Sequence, residues 1–321
     1  MLFRSWKQWL GTEGWLLDDA GGRLTNTRFA DDIMIYAKSL PELVRMLDSL
    51  TEELARVGLQ LNAAKTKILT NDEARSHDDT PTFVDTAGGM LDLLPAAAVH
   101  RYLGRHICGQ PRTRGDTELN HRIAQAWGKF HQHRDTLLNR NVSVRLRLKL
   151  FDATVSPTVL YGMAVLPLTA RQLQRLDAVQ RRMLRNIAGW VRIDDEPWED
   201  TMRRMRGRVE AALRQHHVQS WSERVCRRRW EHAWHVARHP MSWPLRSTKW
   251  DPTACPDPAA HRIPCRGPGR PLTRWDDTLA TYTAGAFHEG SWQQAAATRT
   301  LASWRRSSDA YVQHCFTPSE A

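Results

Sequence analysis

The chain is poor in cysteine, in long apolar runs and, over most of its length, in acid. Its five cysteines, Cys108, Cys226, Cys255, Cys265 and Cys315, are odd in number and irregularly spaced. That pattern excludes a disulfide framework and predicts free thiols. No stretch approaches the roughly 18 consecutive apolar residues that span a bilayer, and Met1 to Leu17 mixes polar residues and tryptophans where a secretory leader would be apolar. The expectation is a soluble protein with a nuclear or cytoplasmic address. At 321 residues and 41% hydrophobic, the chain can bury a substantial core, and its length favours two or three domains.

Acid is scarce in one part only. Residues 1–100 hold 10 Lys/Arg against 15 Asp/Glu, whereas residues 101–321 hold 36 against 20. Within 101–189 the count is 16 against 5, and nearly all the basic residues are arginine. Such a field attracts polyanions, and guanidinium forks suit phosphate oxygens, so nucleic acid is the first partner to consider. Charge alone fits a solvated helical surface equally well.

Hydrophobic patterning gives the order strand, turn, strand, helix, strand for the first part. Arg23 to Phe29 and Ile33 to Tyr36 flank a tight turn at Ala30-Asp31-Asp32. A helix follows with a capping box at Ser39 and Glu42, Pro41 in its first turn, and Leu43, Leu47, Leu50, Leu54 and Val57 at helical spacing. Gly58 ends it, and Lys67 to Thr70 reads as a strand. Residues 71–98 lose periodicity and read as a loop or insertion, and Val99 to Ile107 is strand-like. Helices are predicted from about Glu118, with Leu119, Ile123, Trp127 and Phe130 on one face; from Ser143 to Thr154, with Pro157 as an interruption; and from Thr169 to Gly189. Their apolar stripes predict core packing with the arginines outside. The chain then stays helical and rich in Arg and Trp to Trp243, becomes Pro-rich from Trp250 to Pro271, and is helical again from Thr273 to Phe316. The fold class predicted is α+β, divided at 1–110, 111–190 and 191–321.

Adjacent aspartates occur five times, and four of the pairs, Asp18-Asp19, Asp78-Asp79, Asp194-Asp195 and Asp276-Asp277, lie in polar surroundings typical of caps and loops. Asp31-Asp32 sits between Phe29-Ala30 and Ile33-Met34-Ile35-Tyr36. Two carboxylates beside buried strands need a cation to offset their desolvation, and magnesium takes oxygen ligands while keeping positions open for phosphate. The expectation is therefore a buried acidic tip.

The segment Arg28-Phe29-Ala30-Asp31-Asp32-Ile33-Met34-Ile35-Tyr36-Ala37-Lys38-Ser39 resembles the FADD box of reverse transcriptases of non-LTR, LINE-type retrotransposons. Gly58 to Leu69 resembles the stretch that follows that box, and Tyr102-Leu103-Gly104 the start of the primer grip. Arg122 to Gly189, with Leu160-Tyr161-Gly162 and Gln180 to Gly189, is similar to the thumb and connector helices, and Gly269-Arg270-Pro271 with Arg274 to Asp277 is a weaker echo of the far C-terminal sequence. The resemblance implies a partial polymerase palm, a small antiparallel sheet with a helix, followed by a mostly helical thumb and C-terminal region. It implies an RNA-directed DNA polymerase that uses Mg²⁺ or Mn²⁺, with an RNA template and DNA primer or hybrid duplex as partners. Asp31 and Asp32 would hold the metal pair, Lys65 would sit near the pyrophosphate, and Phe29 and Ala30 would line the turn near the primer terminus. Tyr102 and Gly104 would position the primer, and Arg122, Arg145, Arg147 and Arg181 would track the template-primer backbone.

Two pieces of that family's site have no match. A third carboxylate on an earlier strand is missing, and Met1 to Thr27 is too short for the fingers, so the expectation is a truncated segment inactive by itself. The alternative is a non-catalytic basic nucleic-acid-binding module derived from a retroelement. A product with no folded role is a third possibility, since a palm sheet short of strands exposes an edge and an apolar face. Zinc is disfavoured: Cys226, His232, His235, His239, Cys255 and Cys265 lie within forty residues of one another but form no close ligand pair with a matching half. The tryptophans at 221, 230 and 234 are expected in the core and not on a base-stacking face.

Overall fold

The computed structural model describes residues 6, 9–17, 22–71, 82–110, 113–189, 191–239, 242–249 and 274–317. The calls made on Asp18-Asp19, Asp78-Asp79, the Pro-rich stretch, Cys255, Cys265 and Gly269 to Pro271 lie outside them. The described residues form two compact units, one within 1–114 and 239–272, the other within 115–238 and 273–321. The boundary expected at 190 is absent from this division, because the helices on either side of it pack together.

Among the described residues the first unit carries nine short strands and is α+β, though not one antiparallel sheet. β1 (Trp15–Leu16) pairs with β2 (Arg23–Leu24), β3 (Asn26–Phe29) with β4 (Asp32–Ile35), and β8 (Val99–Tyr102) with β9 (Arg105–Cys108), each pair antiparallel. β5 (Lys67–Leu69), β6 (Thr82–Thr86) and β7 (Gly89–Leu94) make a three-stranded sheet in the order β5-β7-β6, with β5 parallel to β7. β6 and β7 fall in the stretch read as a loop. Leu91 and Leu93 alternate with Met90 and Asp92 on β7 and are buried. That two-residue period spans too few residues, among Gly, Ala and Asp, to stand out in the sequence.

Helix α1 (Leu40–Ala55) organises this unit. Met46, Leu50 and Leu54 pack on Trp6 and Leu10 with Ile33 and Ile35 of β4, while Leu47 packs on Ile68, Leu91 and Leu93. Ser39 accepts a hydrogen bond from the Glu42 amide, as a cap should. The reciprocal half of the expected capping box is replaced. The buried Glu42 carboxylate accepts from the backbone N–H groups of Gly14 and Lys38 instead, tying the helix start to the loop before β1. Gly14 has φ +86, and a Cβ there would meet the Leu24 carbonyl oxygen at 2.8 Å, so this approach needs glycine.

The second unit is helical. α2 (Arg114–Gln132) leads into it and is followed by the short α3 (Arg134–Leu137), α4 (Val144–Leu160), α5 (Ala170–Ala188), α6 (Trp198–Gln215) and α7 (Trp221–Ala237). α8 (Trp243–Lys249) belongs to the first unit, and α9 (Asp277–Ala286), α10 (Trp292–Thr298), α11 (Leu301–Arg306) and α12 (Ser308–Phe316) pack around α7. Thr169 and Gln172 form a full capping box on α5. α4 runs through Pro157, against the interruption expected there. Phe151, Val155 and Val159 on its buried face, all fully covered, hold the turn in place, and Thr154 and Thr158 donate back to carbonyls four residues earlier. The buried Gln180 amide joins α5 to α7 by accepting from the Trp221 N–H and donating to the Gln219 carbonyl. No described helix is long and apolar enough to cross a membrane.

Candidate active site

The acidic pair lies at the tip of the β3–β4 hairpin. Phe29 pairs with Asp32 across a two-residue turn, Ala30-Asp31, in which Ala30 takes φ 54. Ile33 and Ile35 anchor the hairpin on α1, but the tip projects beyond them, and Asp31 and Asp32 are both exposed. Phe29 is 65% exposed. The buried acidic tip expected from sequence is therefore corrected: the half-buried part of the hairpin begins at Ile33, past the tip, and Phe29 to Asp32 are all exposed, so desolvation does not demand a cation here.

A second hairpin lies close by. Leu103 and Gly104, both at positive φ, form the turn between β8 and β9, the backbone signature of a type I′ hairpin. The Tyr102 side chain hydrogen-bonds Thr27 on β3, and Thr27 Oγ1 lies 3.1 Å from the Tyr36 hydroxyl. Burial, together with the nearby Tyr36 and the Asp32 carboxylate, raises the Tyr102 phenol above its ordinary value, while the Thr27 bond opposes the rise. Tyr102, expected from sequence at a primer grip, is thus within electrostatic reach of Asp32. Thr27 and Tyr36, which link the two hairpins, were missed; the alternation of Asn26, Arg28 and Ile33, Ile35 around them was the available signal.

Lys65 is exposed in the turn before β5, where its amide is held by Asn62. Lys67, two residues on, pairs with Asp92 across the parallel β5–β7 register, and it lowers the His100 imidazole, which burial already depresses.

The two hairpins and Lys65 belong to the first unit; the four arginines expected to track phosphates belong to the second, and they divide evenly. Arg145 on α4 and Arg181 on α5 are exposed. Arg122 and Arg147 are each 6% exposed and structural. Arg122 pairs with the fully buried Glu118 at 2.7 Å and lies over the Tyr161 ring at 4.6 Å. Arg147 donates to the carbonyls of Val142, Leu137 and Ile187, joining α3, α4 and the end of α5. Burial lowers its guanidinium. The phosphate-tracking role expected of these two is withdrawn, since both forks are spent on the interior. Arg171, Arg175 and Arg182 extend the exposed basic face of α5, and Arg182 lies 5.6 Å from the Trp127 ring.

Asp31 and Asp32 offer the oxygen donors that a hard divalent cation takes, and their exposure leaves room for water ligands. Among the described residues no group of three His, Cys, Asp or Glu side chains could hold a metal, which also covers the described part of the His232 to His239 cluster.

Over 263 residues the chain is 27% identical to a transposon-derived protein of Caenorhabditis elegans, covering 81% of this chain and 85% of the relative. No solved structure matches it. Residues 2–107, the stretch that holds the acidic hairpin, α1 and the Tyr102 hairpin, match the family model of reverse transcriptase (RNA-dependent DNA polymerase).

Proposed function

We propose that this chain is a reverse-transcriptase-type segment of a LINE-like retroelement that binds a primed RNA template and, by itself, does not sustain synthesis. The observation that supports the reading is that the Tyr102 phenol feels Thr27, Tyr36 and Asp32 of the acidic hairpin, both hairpins lying in the matched stretch. Asp31 and Asp32 hold divalent metal, Mg²⁺ or Mn²⁺. Bound there, the ion would offset charge on nucleotide phosphates and favour the ionised primer hydroxyl. Phe29 and Ala30 line the turn beside the primer terminus. Tyr102 and Gly104 hold the primer strand, and Lys65 offers an ammonium to departing phosphate. Arg145 and Arg181 on the helical thumb contact the nucleic-acid backbone without reading sequence. With two carboxylates and no third beside them among the described residues, metal is held weakly and positioning of the nucleotide is poor, which removes most of the rate.

A second reading is a non-catalytic nucleic-acid-binding module. What favours it is the exposure of both aspartates, which stand in water at no cost without an ion, together with the exposed arginines that the helices of the second unit carry.

Primer extension on an RNA template with a DNA primer, Mg²⁺ and deoxynucleotides tests the first reading; robust synthesis that disappears in Asp31→Asn would refute the inactivity. Binding to the same hybrid separates the two. A Mg²⁺ effect lost in Asp31→Asn supports a working metal site, whereas sensitivity to Arg145→Ala with Arg181→Ala alone supports the module.

A further inference from the structure

A buried guanidinium in the second unit has no carboxylate partner among the described residues. Arg229 on α7 is 3% exposed; its Nη2 donates to the Leu166 carbonyl at 2.8 Å, its Nη1 reaches Thr278 Oγ1 at 3.5 Å, and its Nε is buried without a hydrogen-bond partner. An interior cation needs an anion nearby. Its charge reaches Cys226, one turn earlier on α7, and Tyr311 and Cys315, one turn apart on α12. Cys226 and Cys315 are near enough for each to shift the other's protonation as a hydrogen bond would, and Thr278 on α9 lies 3.0 Å from the Tyr311 hydroxyl. Asp177 on α5, whose charge also reaches Cys226, is already engaged by the Ser222 amide and hydroxyl.

The three ionisable neighbours are not equivalent. Burial pushes the Tyr311 phenol up, and the bond to Cys315 together with burial pushes the Cys226 thiol up. The bond donated by Cys226, with help from Tyr311, Arg229 and Thr278, draws Cys315 down to about 7 against its own burial. Cys315 is also the half-buried member, and Cys226 the buried one.

We propose that Cys315 and Cys226 form an oxidisable dithiol in which Cys315 is the thiolate that reacts first, Arg229 is its counter-ion, and Cys226 resolves the product into a disulfide joining α7 to α12. The oxidant is a hydroperoxide. The Cys315 sulfur attacks the terminal peroxide oxygen; an S–O bond forms, the O–O bond breaks, and hydroxide or alkoxide leaves and takes a proton. Cys226 then attacks the sulfenic sulfur, forming S–S and releasing water that carries away its proton.

The test treats the reduced full chain with equimolar hydrogen peroxide and maps its thiols by mass spectrometry. A peptide pair linked through Cys226 and Cys315 is expected; Cys226→Ser should instead leave a dimedone-trappable sulfenic acid on Cys315, and Cys315→Ser should give neither product. Iodoacetamide labelling of Cys315 should rise only about twofold from pH 7 to pH 9, against roughly 25-fold for an ordinary thiol, and should slow about tenfold at pH 7 in Arg229→Gln. If that variant does not fold, the other arms still decide. An ordinary 25-fold rise, or a chain that is oxidised elsewhere while these two sulfurs stay unlinked, would overturn the proposal.

Discussion

The indoles of Trp230 and Trp304 stack with centroids 3.7 Å apart and planes 2° from parallel, and each donates its Nε1–H to the other's backbone carbonyl at 2.7 Å. This reciprocal clasp fixes α11 to α7, and Tyr311 stacks on the same Trp230 ring at 4.7 Å. Both indoles are fully buried, so each N–H is satisfied where an orphan would cost most. Trp304→Ala should destabilise the helical unit by about 3–5 kcal/mol, a loss of packing plus one stranded carbonyl. Chemical denaturation followed by near-ultraviolet circular dichroism reads it; a change within 1 kcal/mol would contradict the packing described.

Arg147 and Arg145 sit two residues apart on α4 and should behave oppositely. Arg147→Met removes a cation that satisfies three carbonyls and should lower stability by about 3 kcal/mol, with hybrid binding unchanged once the folded fraction is matched. Arg145→Ala with Arg181→Ala should leave the denaturation midpoint in place and reduce the slope of log K against log salt by about 1.5–2.

Neutralising Asp32 should be felt at Tyr102. Because the carboxylate helps to raise that phenol, Asp32→Asn should lower its pKa, and Tyr102→Phe identifies its signal in an ultraviolet titration. An unchanged titration would separate the two hairpins.

Glu196 governs an acid limb of stability. Its carboxylate accepts from Arg204 and from the Thr201 hydroxyl, which hold it down to about 2. A carboxylate depressed in the folded state stabilises above its unfolded value, near 4.5, and that contribution disappears as pH falls towards 2. The melting temperature of Glu196→Gln should therefore lose part of the decline that the unsubstituted chain shows between pH 4.5 and 2.

Local signals were legible where chemistry is local. The Asp31-Asp32 hairpin, the Ser39 cap, the helix start at Thr169 and the apolar stripe of α5 follow from short patterns, whereas the turn at Leu103-Gly104 splits into a hairpin what reads as one strand-like stretch. What the sequence withheld are long-range pairings. Nothing near Arg147 marks it as interior, because the Ile187 carbonyl reaches it only after folding; Glu118 stands one helical turn before Arg122, but such a pair reads equally well as a solvated face. The exposure of Asp31 and Asp32 was likewise hidden: an apolar strand after the turn does not say which of its two faces is covered. Pro157 misled for the same reason, its turn being held by tertiary burial that outweighs the lost backbone bond.

Each unit is assembled from two stretches of chain, and this sets a timetable. Leu245 is buried on α8, and Arg246 fills the space a side chain at Gly22 would need. At roughly 5–20 residues per second, the ribosome takes about 7–30 s to advance from position 114 to 249. During that interval the nascent acidic portion waits without its closing helix, so chaperone capture at this stage would govern yield more than final stability does.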